Sequence, residues 1–227
     1  MQSLKTLAFF KDVTIDYDKF DRRVSWRRCA DGETLVDFED KSTDVYFLTT
    51  GEVRVLLRTA SGKEVILADL KAGEFFGELA AIDGIPRSAN VTALTKSDLC
   101  IMPANVFREI LFSSHEACDK VLRLLTHRVR DGNTRLAEMS IFDLRHRLYS
   151  ELLRMSHPRP GHAGMRVVSP PPFHHVAARI GCRREQVTRE LSSLVGEGLV
   201  EKTRGALVLT KPQVLESRLA IAMAEGD

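Results

Sequence analysis

The stretch Gly73-Glu-Phe-Phe-Gly-Glu-Leu-Ala80, followed after five residues by Pro86-Arg-Ser-Ala89, carries most of the information about the fold. Its glycines and its proline predict a short helical turn that joins one strand to the next. Backbone amides near Gly77 and Leu79 can point from such a turn toward an anion. The sequence therefore predicts an anion-facing turn inside a region of strands.

Three polar side chains in this stretch suit a phosphorylated sugar. Arg87 offers a planar fork of donors that matches a phosphate. Ser88 can donate a hydroxyl hydrogen bond, and Glu78 can accept one from a sugar hydroxyl. A phosphate and a sugar hydroxyl within one small pocket describe a nucleotide. The alternative is a turn in which Arg87 and Glu78 simply pair with each other.

Around this stretch, residues from about Phe20 to Pro103 form a series of short strand-like runs. The runs at 44–50 and 65–70 are rich in β-branched and aromatic residues, and turn signals such as Asp31-Gly32 lie between such runs. Regular short strands with this punctuation indicate an antiparallel barrel, roll or sandwich.

A long helix is expected from about Ser114, after a short helix over 104–111. One set of its positions alternates steps of four and three residues, which is the spacing of a coiled-coil seam. We interpret this stripe as a dimer interface between two copies of the chain; packing on the helix's own domain is the alternative. The positions of the seam are Cys118, Leu122, Leu125, Val129, Gly132, Leu136 and Met139.

The C-terminal part predicts a winged helix-turn-helix. Helical stretches at 173–180 and 183–194 are joined by a tight glycine turn, and Cys182 is the expected N-cap of the second helix. Arg204-Gly205, between two apolar runs, is a hairpin signal. The many prolines and glycines of residues 157–172 predict a loop. Two helices with a tight turn and a following hairpin are typical of this DNA-binding motif.

Composition and charge agree with a globular protein in a reducing compartment. Residues 1–140 carry 20 Lys and Arg against 22 Asp and Glu, while residues 141–227 carry 13 against 9, so the second part is basic and suits an anionic partner. The four cysteines form no CxxC pair, which gives little support to a disulfide frame or a metal site. Apolar runs stay far below the roughly 18 residues of a membrane helix. A cytoplasmic protein without a membrane partner is expected.

Both motifs resemble parts of one known family. Gly77-Glu-Leu-Ala80 with Pro86-Arg-Ser-Ala89 resembles the phosphate-binding cassette of cyclic-nucleotide-binding domains, and the C-terminal part resembles the DNA-binding domain of the CRP/FNR family of bacterial transcription factors. This resemblance implies an α+β fold. The expected fold has a jelly-roll-like antiparallel β-roll over residues 1–113, a dimerisation helix over 114–141 and a winged helix-turn-helix over 142–227.

The resemblance also implies roles for the cassette. Glu78 would accept a hydrogen bond from the ribose 2′-hydroxyl of a cyclic nucleotide. Arg87 and Ser88 would hold the cyclic phosphate together with the backbone amides of Gly77 and Leu79.

In this family, polar residues of the dimer helix meet the base, and the corresponding positions here are Gly132, Asn133 and Thr134. A well-known member has Thr-Ser where this chain has Gly132-Asn133. Asn133 and Thr134 each donate and accept, so they suit adenine or guanine. We expect cAMP as the allosteric ligand, with cGMP as the second candidate, and no metal.

On the second helix of the predicted motif, Arg184, Glu185 and Arg189 match the family's base-reading pattern Arg-Glu-x-x-x-Arg. The two arginines suit the O6 and N7 atoms of guanine, and Glu185 suits the amino group of cytosine. The expected target is double-stranded DNA with an inverted repeat of half-sites that resemble TGTGA. The side chains expected at the DNA phosphates are Arg183, Thr188, Lys202 and Arg204.

The resulting expectation is a homodimeric transcription regulator that responds to a cyclic nucleotide, works with RNA polymerase and is not an enzyme. Two other readings stay open. One is a ligand-independent regulator with a vestigial pocket, and the other is a redox or gas sensor on the same scaffold.

Overall fold

Antiparallel strands, eight of them among the residues that the structure describes, form the body of the first unit of the chain, Met1–Arg128. The structure is a computed structural model and describes residues 2–59, 62–169 and 172–225. The strands are β1 (Ser25–Cys29), β2 (Thr34–Val36), β3 (Val45–Thr50), β4 (Glu52–Arg58), β5 (Glu64–Lys71), β6 (Phe75–Phe76), β7 (Asn90–Ala93) and β8 (Ser97–Met102). They make two four-stranded sheets, in the orders β1-β8-β3-β6 and β2-β7-β4-β5. The predicted antiparallel roll is confirmed.

The two sheets share one apolar core, because each of the eight strands contributes a buried side chain to it. On the first sheet, Tyr46 of β3 pairs with Phe76 of β6, and their rings stack with centroids 5.0 Å apart. This pairing anchors the short strand β6 at the sheet edge. The chain that leaves β6 therefore enters the cassette turn, which begins at Gly77, from a fixed position.

A second, aromatic core lies between the strands and the helices of this unit. The helices are α1 (Tyr17–Asp21), α2 (Glu78–Asp83), α3 (Ala104–Ser113) and α4 (His115–Ile141), of which α4 continues beyond the unit. Phe9 and Phe10 are buried here against Phe47, and Phe9 also meets Phe75 edge to face at 5.0 Å. The N-terminal segment, which shows only a short apolar run in the sequence, is thus part of the core.

The second unit, Val129–Asp227, combines helices with a small sheet. Its elements after α4 are α5 (Leu144–Met155), β9 (His157–Pro158), β10 (Arg166–Val168), α6 (Phe173–Ile180), α7 (Arg184–Gly196), β11 (Val200–Lys202), β12 (Leu207–Leu209) and α8 (Pro212–Glu225). The predicted helix pair and hairpin are present. The prediction of a plain loop over 157–172 is wrong in part, because β9 and β10 extend the hairpin into the sheet β11-β12-β10-β9.

Apolar side chains from α5, α6, α7 and α8 and from the sheet form the core of this unit. Gly181, at φ 71°, ends α6 in the left-handed region that glycine adopts at little cost, which permits the tight turn into α7. Within the described ranges, no helix combines the length and the apolar character that a membrane span requires.

Candidate functional site

Gly77 sets the geometry of the cassette turn. It follows β6, has φ 87° and ψ 2°, and is the N-cap of α2. A Cβ atom at this position would lie 2.6 Å from the carbonyl oxygen of Asp44 and 2.7 Å from Nη1 of Arg87. Both the backbone conformation and the close approach therefore require glycine.

Arg87 is held against this turn, with 3% of its surface exposed. Its Nη1 donates to the carbonyl oxygen of Gly77 at 3.0 Å, its Nη2 to that of Asp44 at 2.8 Å, and its Nε to Oγ of Ser42 at 3.1 Å. All three acceptors are uncharged. Since a guanidinium has five N–H groups, one on Nη1 and one on Nη2 remain for a further acceptor. The side chain is positioned by the fold and keeps donors for an anion.

The segment before β3 packs on Arg87 through both its backbone and its side chains. The backbone N–H of Glu39 donates to the Arg87 carbonyl at 3.0 Å, and the Arg87 N–H donates to that of Asp40 at 2.9 Å. The guanidinium lies over the ring of Tyr46, 5.6 Å from its centroid, and burial raises the pKa of that phenol. A hydrogen bond from the Ser42 backbone lowers the pKa of Asp40, which therefore stays ionised near this cation.

Glu78, the first residue of α2, is 1% exposed and forms an ion pair with Nη1 of Arg128 on α4. Nη2 of Arg128 also donates to the carbonyl oxygen of Phe75 at 3.1 Å. Arg128 is not among the residues predicted for the site, and the sequence carries no direct signal for it, since it lies 50 positions from Glu78. Once Glu78 is known to be buried, a cationic partner is expected, because a buried charge needs one. The alternative of a closed pair between Glu78 and Arg87 does not match these bonds.

The remaining predicted ligand-binding residues are exposed. Ser88 and Leu79 lie at the surface of the first unit, Leu79 with 42% exposure. Asn133 and Thr134 are exposed on the part of α4 that belongs to the second unit, where Oγ1 of Thr134 donates to the carbonyl of Arg130 at 3.0 Å. The roles of these residues stay predictions.

An apolar stripe runs along α4. Leu122, Val129 and Leu136 are seven residues apart and have exposures of 58%, 61% and 68%. Other residues of the helix, such as Ala117 and Val121, are buried in the core of the first unit. Part of the helix thus packs on its own unit, and a separate heptad stripe is left uncovered in the single chain.

The second candidate surface is one side of α7. Arg183, Arg184, Glu185, Thr188 and Arg189 are all exposed, while Val187, Leu191 and Leu194 of the same helix are buried. The prediction of Cys182 as N-cap is wrong, because the N-cap is Arg183, whose N–H donates to Oε1 of Gln186 at 3.0 Å. This bond satisfies the N–H of the N-cap itself and is one half of a capping box; arginine has no side-chain acceptor for the other half.

In the wing, which is the hairpin of β11 and β12, Lys202 and Arg204 are also exposed, and the ammonium of Lys202 lies over the ring of Phe173 at 5.9 Å. This contact places a cation of the hairpin beside the start of α6. Among the described residues, no three His, Cys, Asp or Glu side chains come together in a group that could hold a metal ion.

Two known domain families match the two units described above. Residues 26–114 match the cyclic nucleotide-binding domain, and residues 146–218 match the Crp-like helix-turn-helix domain. The first match contains Gly77, Glu78 and Arg87, and the second contains α6, α7 and the wing.

Similar proteins align over most of the chain, across both matched regions. The cyclic AMP receptor protein of Thermus thermophilus is 27% identical over 205 residues, which cover 90% of each chain. A CRP-like cAMP-activated global transcriptional regulator of Mycobacterium tuberculosis is 24% identical over 189 residues, 82% of this chain and 84% of that one. The fold is similar to that of a CooA mutant from Carboxydothermus hydrogenoformans, with a TM-score of 0.77, 19% identity and coverage of 91% and 92%. With both domains in this order, the chain belongs to the CRP/FNR family of DNA-binding transcription regulators and carries a cyclic nucleotide-binding domain.

Proposed function

We propose that this protein is a homodimeric transcription regulator that binds cAMP and, in response, an inverted-repeat DNA operator. The main support is the arrangement of two buried charges next to Gly77, one on the residue that follows it and one bonded to its carbonyl. Glu78 takes its ion pair from Arg128, while the hydrogen bonds of Arg87 go to uncharged oxygens. An anionic ligand with a hydroxyl group matches this pair of side chains.

The cyclic phosphate binds at Arg87. The two remaining N–H groups of the guanidinium donate to the phosphate oxygens, and charge-assisted bonds of this kind are stronger than neutral ones. Ser88 and the amides of Gly77 and Leu79 supply further donors. Glu78 accepts from the ribose 2′-hydroxyl, because a carboxylate has about four acceptor positions and Arg128 uses one of them.

The base is contacted by Asn133 and Thr134, which can serve adenine or guanine. cAMP is preferred over cGMP because the relatives from Thermus thermophilus and Mycobacterium tuberculosis are named for cAMP. cGMP is the ligand to compare with it.

Two copies of the chain associate along α4. Leu122, Val129 and Leu136 follow a strict seven-residue repeat, which matches the seam of a two-stranded coiled coil. Their side chains are exposed in the single chain and lose contact with water when a second helix covers them.

The dimer presents two copies of α7 to successive major grooves. Arg184 and Arg189 bind guanine, and Glu185 accepts from cytosine, in half-sites that resemble TGTGA. Arg183, Thr188, Lys202 and Arg204 contact phosphates, which position the protein without reading sequence. The protein acts on double-stranded DNA in the cytoplasm together with RNA polymerase.

Ligand and DNA are coupled through a population shift. The nucleotide favours a continuous helix through Gly132, the weakest position of the seam, where glycine costs about 1 kcal/mol relative to alanine. A rigid seam changes the positions of the two DNA-binding domains about residues 140–143. The ligand shifts this equilibrium only by its differential affinity for the two states.

Titration calorimetry of the full chain with cAMP, cGMP and cyclic di-GMP tests the ligand. The informative variant is Glu78→Gln, and the matched control is Glu74→Gln, an exposed carboxylate four residues earlier. We expect wild type and control to bind cAMP alike and Glu78→Gln to bind about 10- to 100-fold more weakly, as the loss of a hydrogen bond to a charged group implies.

DNA binding is then measured by fluorescence anisotropy, on a duplex with two inverted TGTGA half-sites and on one whose half-site guanines are replaced by adenines. We expect cAMP to strengthen binding to the first duplex only. Wild-type protein that takes up none of the three nucleotides but still binds the operator would contradict the proposal and support the ligand-independent regulator. Equal binding of cAMP by Glu78→Gln and wild type would show that the site is elsewhere.

A further inference from the structure

Two charged side chains of the second unit are placed against the electrostatic preference of their own helices. Arg145 lies in the first turn of α5, whose N-cap is Asp143, and Glu197 is the C-cap residue of α7. A cation is unfavourable near a helix N-terminus, and an anion is unfavourable near a C-terminus. Local helix energetics therefore do not explain either residue. Tertiary structure does, because Nη2 of Arg145 donates to Oε1 of Glu197 at 2.8 Å.

Arg145 makes two further bonds to α7. Its Nε donates to Oε2 of Glu190 at 3.2 Å, and its Nη2 to Oγ of Ser193 at 2.5 Å. The three acceptors are spaced by three and four residues, so they form one stripe along α7. We call Arg145, Glu190, Ser193 and Glu197 the α5–α7 clamp.

A second arginine closes the arrangement. Nη1 of Arg218, on α8, donates to Oε2 of Glu197 at 2.8 Å and to the hydroxyl of Tyr149, on α5, at 3.0 Å. The hydrogen bond from Arg218 lowers the pKa of Glu197, and so keeps it ionised for Arg145. Glu197 is therefore tied to α5 by one arginine and to α8 by the other.

The clamp occupies a separate side of α7. At about 100° per residue, positions 184, 185, 188 and 189 cover one side of the helix, and the clamp stripe at 190, 193 and 197 lies on another. The buried residues Val187, Leu191 and Leu194 form the third side. Burial of this apolar side sets which face of α7 points to the core, but the hydrophobic effect is itself non-directional. A planar guanidinium with three acceptors is directional and adds a specific constraint on the rotation of α7 about its axis.

The clamp also lies beside a residue that we propose to read DNA. An open cavity of about 490 Å³ is lined by Arg145, Glu190 and Ser193 together with Arg189. Arg189 directly precedes Glu190 in the chain. A rotation of α7 that moves Glu190 away from Arg145 therefore moves Arg189 as well.

We propose that Arg145 is a positioning residue for sequence recognition. It fixes the rotation of α7 through the clamp, so that Arg184, Glu185 and Arg189 reach the base edges in register, and it does not touch DNA itself. This inference rests on the proposed function, in which α7 reads DNA.

The decisive variant is Arg145→Met, which keeps the length of the side chain and removes its donors. Its control is Lys211→Met, which also removes one positive charge. Lys211 lies at an exposed position just before α8 in the same unit. A duplex selected by the wild-type protein from a random-sequence pool serves as the specific probe, and a duplex of scrambled sequence as the non-specific one. Affinities for both are measured over a range of salt concentrations.

Loss of a surface charge alone weakens both affinities to the same degree and changes their salt dependence. Lys211→Met is therefore expected to keep the ratio of specific to non-specific affinity. Arg145→Met is expected to lower that ratio about 10-fold, the discrimination of roughly one good base contact. Arg145→Lys, which can reach one acceptor, recovers part of the ratio. Ser193→Ala removes a single acceptor without a charge change and gives a smaller loss, even if Arg145→Met folds poorly.

Hydrogen exchange of the free protein gives a readout that needs no DNA. In Arg145→Met, the amides of residues 184–197 should exchange faster than in Lys211→Met, while those of β12 stay unchanged. Equal affinity ratios and equal exchange in the two variants would overturn the inference. If the wild type selects no sequence at all, the proposed function fails, and the exchange measurement still decides whether the clamp holds α7.

Discussion

Replacing Arg87 by alanine should destabilise the first unit as well as remove nucleotide binding. The substitution leaves the carbonyl oxygens of Gly77 and Asp44 without their guanidinium donors. An unsatisfied buried acceptor costs about 1–3 kcal/mol. Gly77 and Asp44 are partly exposed, so water can replace part of each bond, and the Gly77 carbonyl also accepts from the backbone N–H of Ala81 at 3.4 Å. The total loss should therefore be about 1–3 kcal/mol.

Urea unfolding followed by tryptophan fluorescence measures this loss. The chain has one tryptophan, Trp26 on β1, so the signal reports on the first unit. The control is Arg58→Ala, which breaks a surface pair with Glu64 at 2.9 Å and should cost about 0–1 kcal/mol. Coincident unfolding curves for Arg87→Ala and Arg58→Ala, with equal slopes, would refute a structural role of Arg87. Calorimetry without urea, where the fold persists, should show no uptake of cAMP by Arg87→Ala.

Three further outcomes are expected. Arg128→Met leaves the carboxylate of Glu78 buried without its cation and should destabilise the first unit by about 2–4 kcal/mol in the same urea assay; the double variant with Glu78→Gln should recover part of this loss, and an additive result would argue against the pair. Leu136→Glu places a charge in the exposed heptad stripe and should convert the proposed dimer to a monomer in sedimentation experiments, whereas an intact dimer would place the interface elsewhere. Burial raises the pKa of the Cys100 thiol to about 12, so at pH 8 it should stay unreactive toward a disulfide reagent while Cys182, which is partly exposed and lies outside the seam of α4, reacts; rapid labelling of Cys100 in the native protein would contradict its burial.

Much of the architecture followed from local patterns. The glycine turn before α7, the hairpin about Gly205 and the strands before Pro103 are signals carried by neighbouring residues, and the structure confirms them. The β9–β10 pair was missed because prolines and glycines dominate its segment, and the pairing partner that makes β10 a strand is β12. The N-terminal core residues Phe9 and Phe10 were missed for a related reason, since a short apolar run shows no period.

The candidate site was also predictable only in part. Glu78 and Arg87 were identified from their place in a short motif, and their burial beside Gly77 agrees with it. Their partners were not identified. Arg128 is 50 positions from Glu78, and the carbonyl of Asp44 is 43 positions from Arg87. The long helix carries several arginines, and nothing in the sequence distinguishes Arg128 from the others as the partner of Glu78.

The sequence by itself therefore determined the types and the order of the elements, the cassette turn and the side of α7 that bears exposed arginines, because turn chemistry and periodicity act between residues a few positions apart. Tertiary structure alone decided which cation neutralises Glu78, which oxygens hold Arg87 and which residues clamp α7 to α5. These choices depend on distance and direction between segments that are far apart in the chain, and only packing brings such segments within the few ångströms over which a hydrogen bond forms.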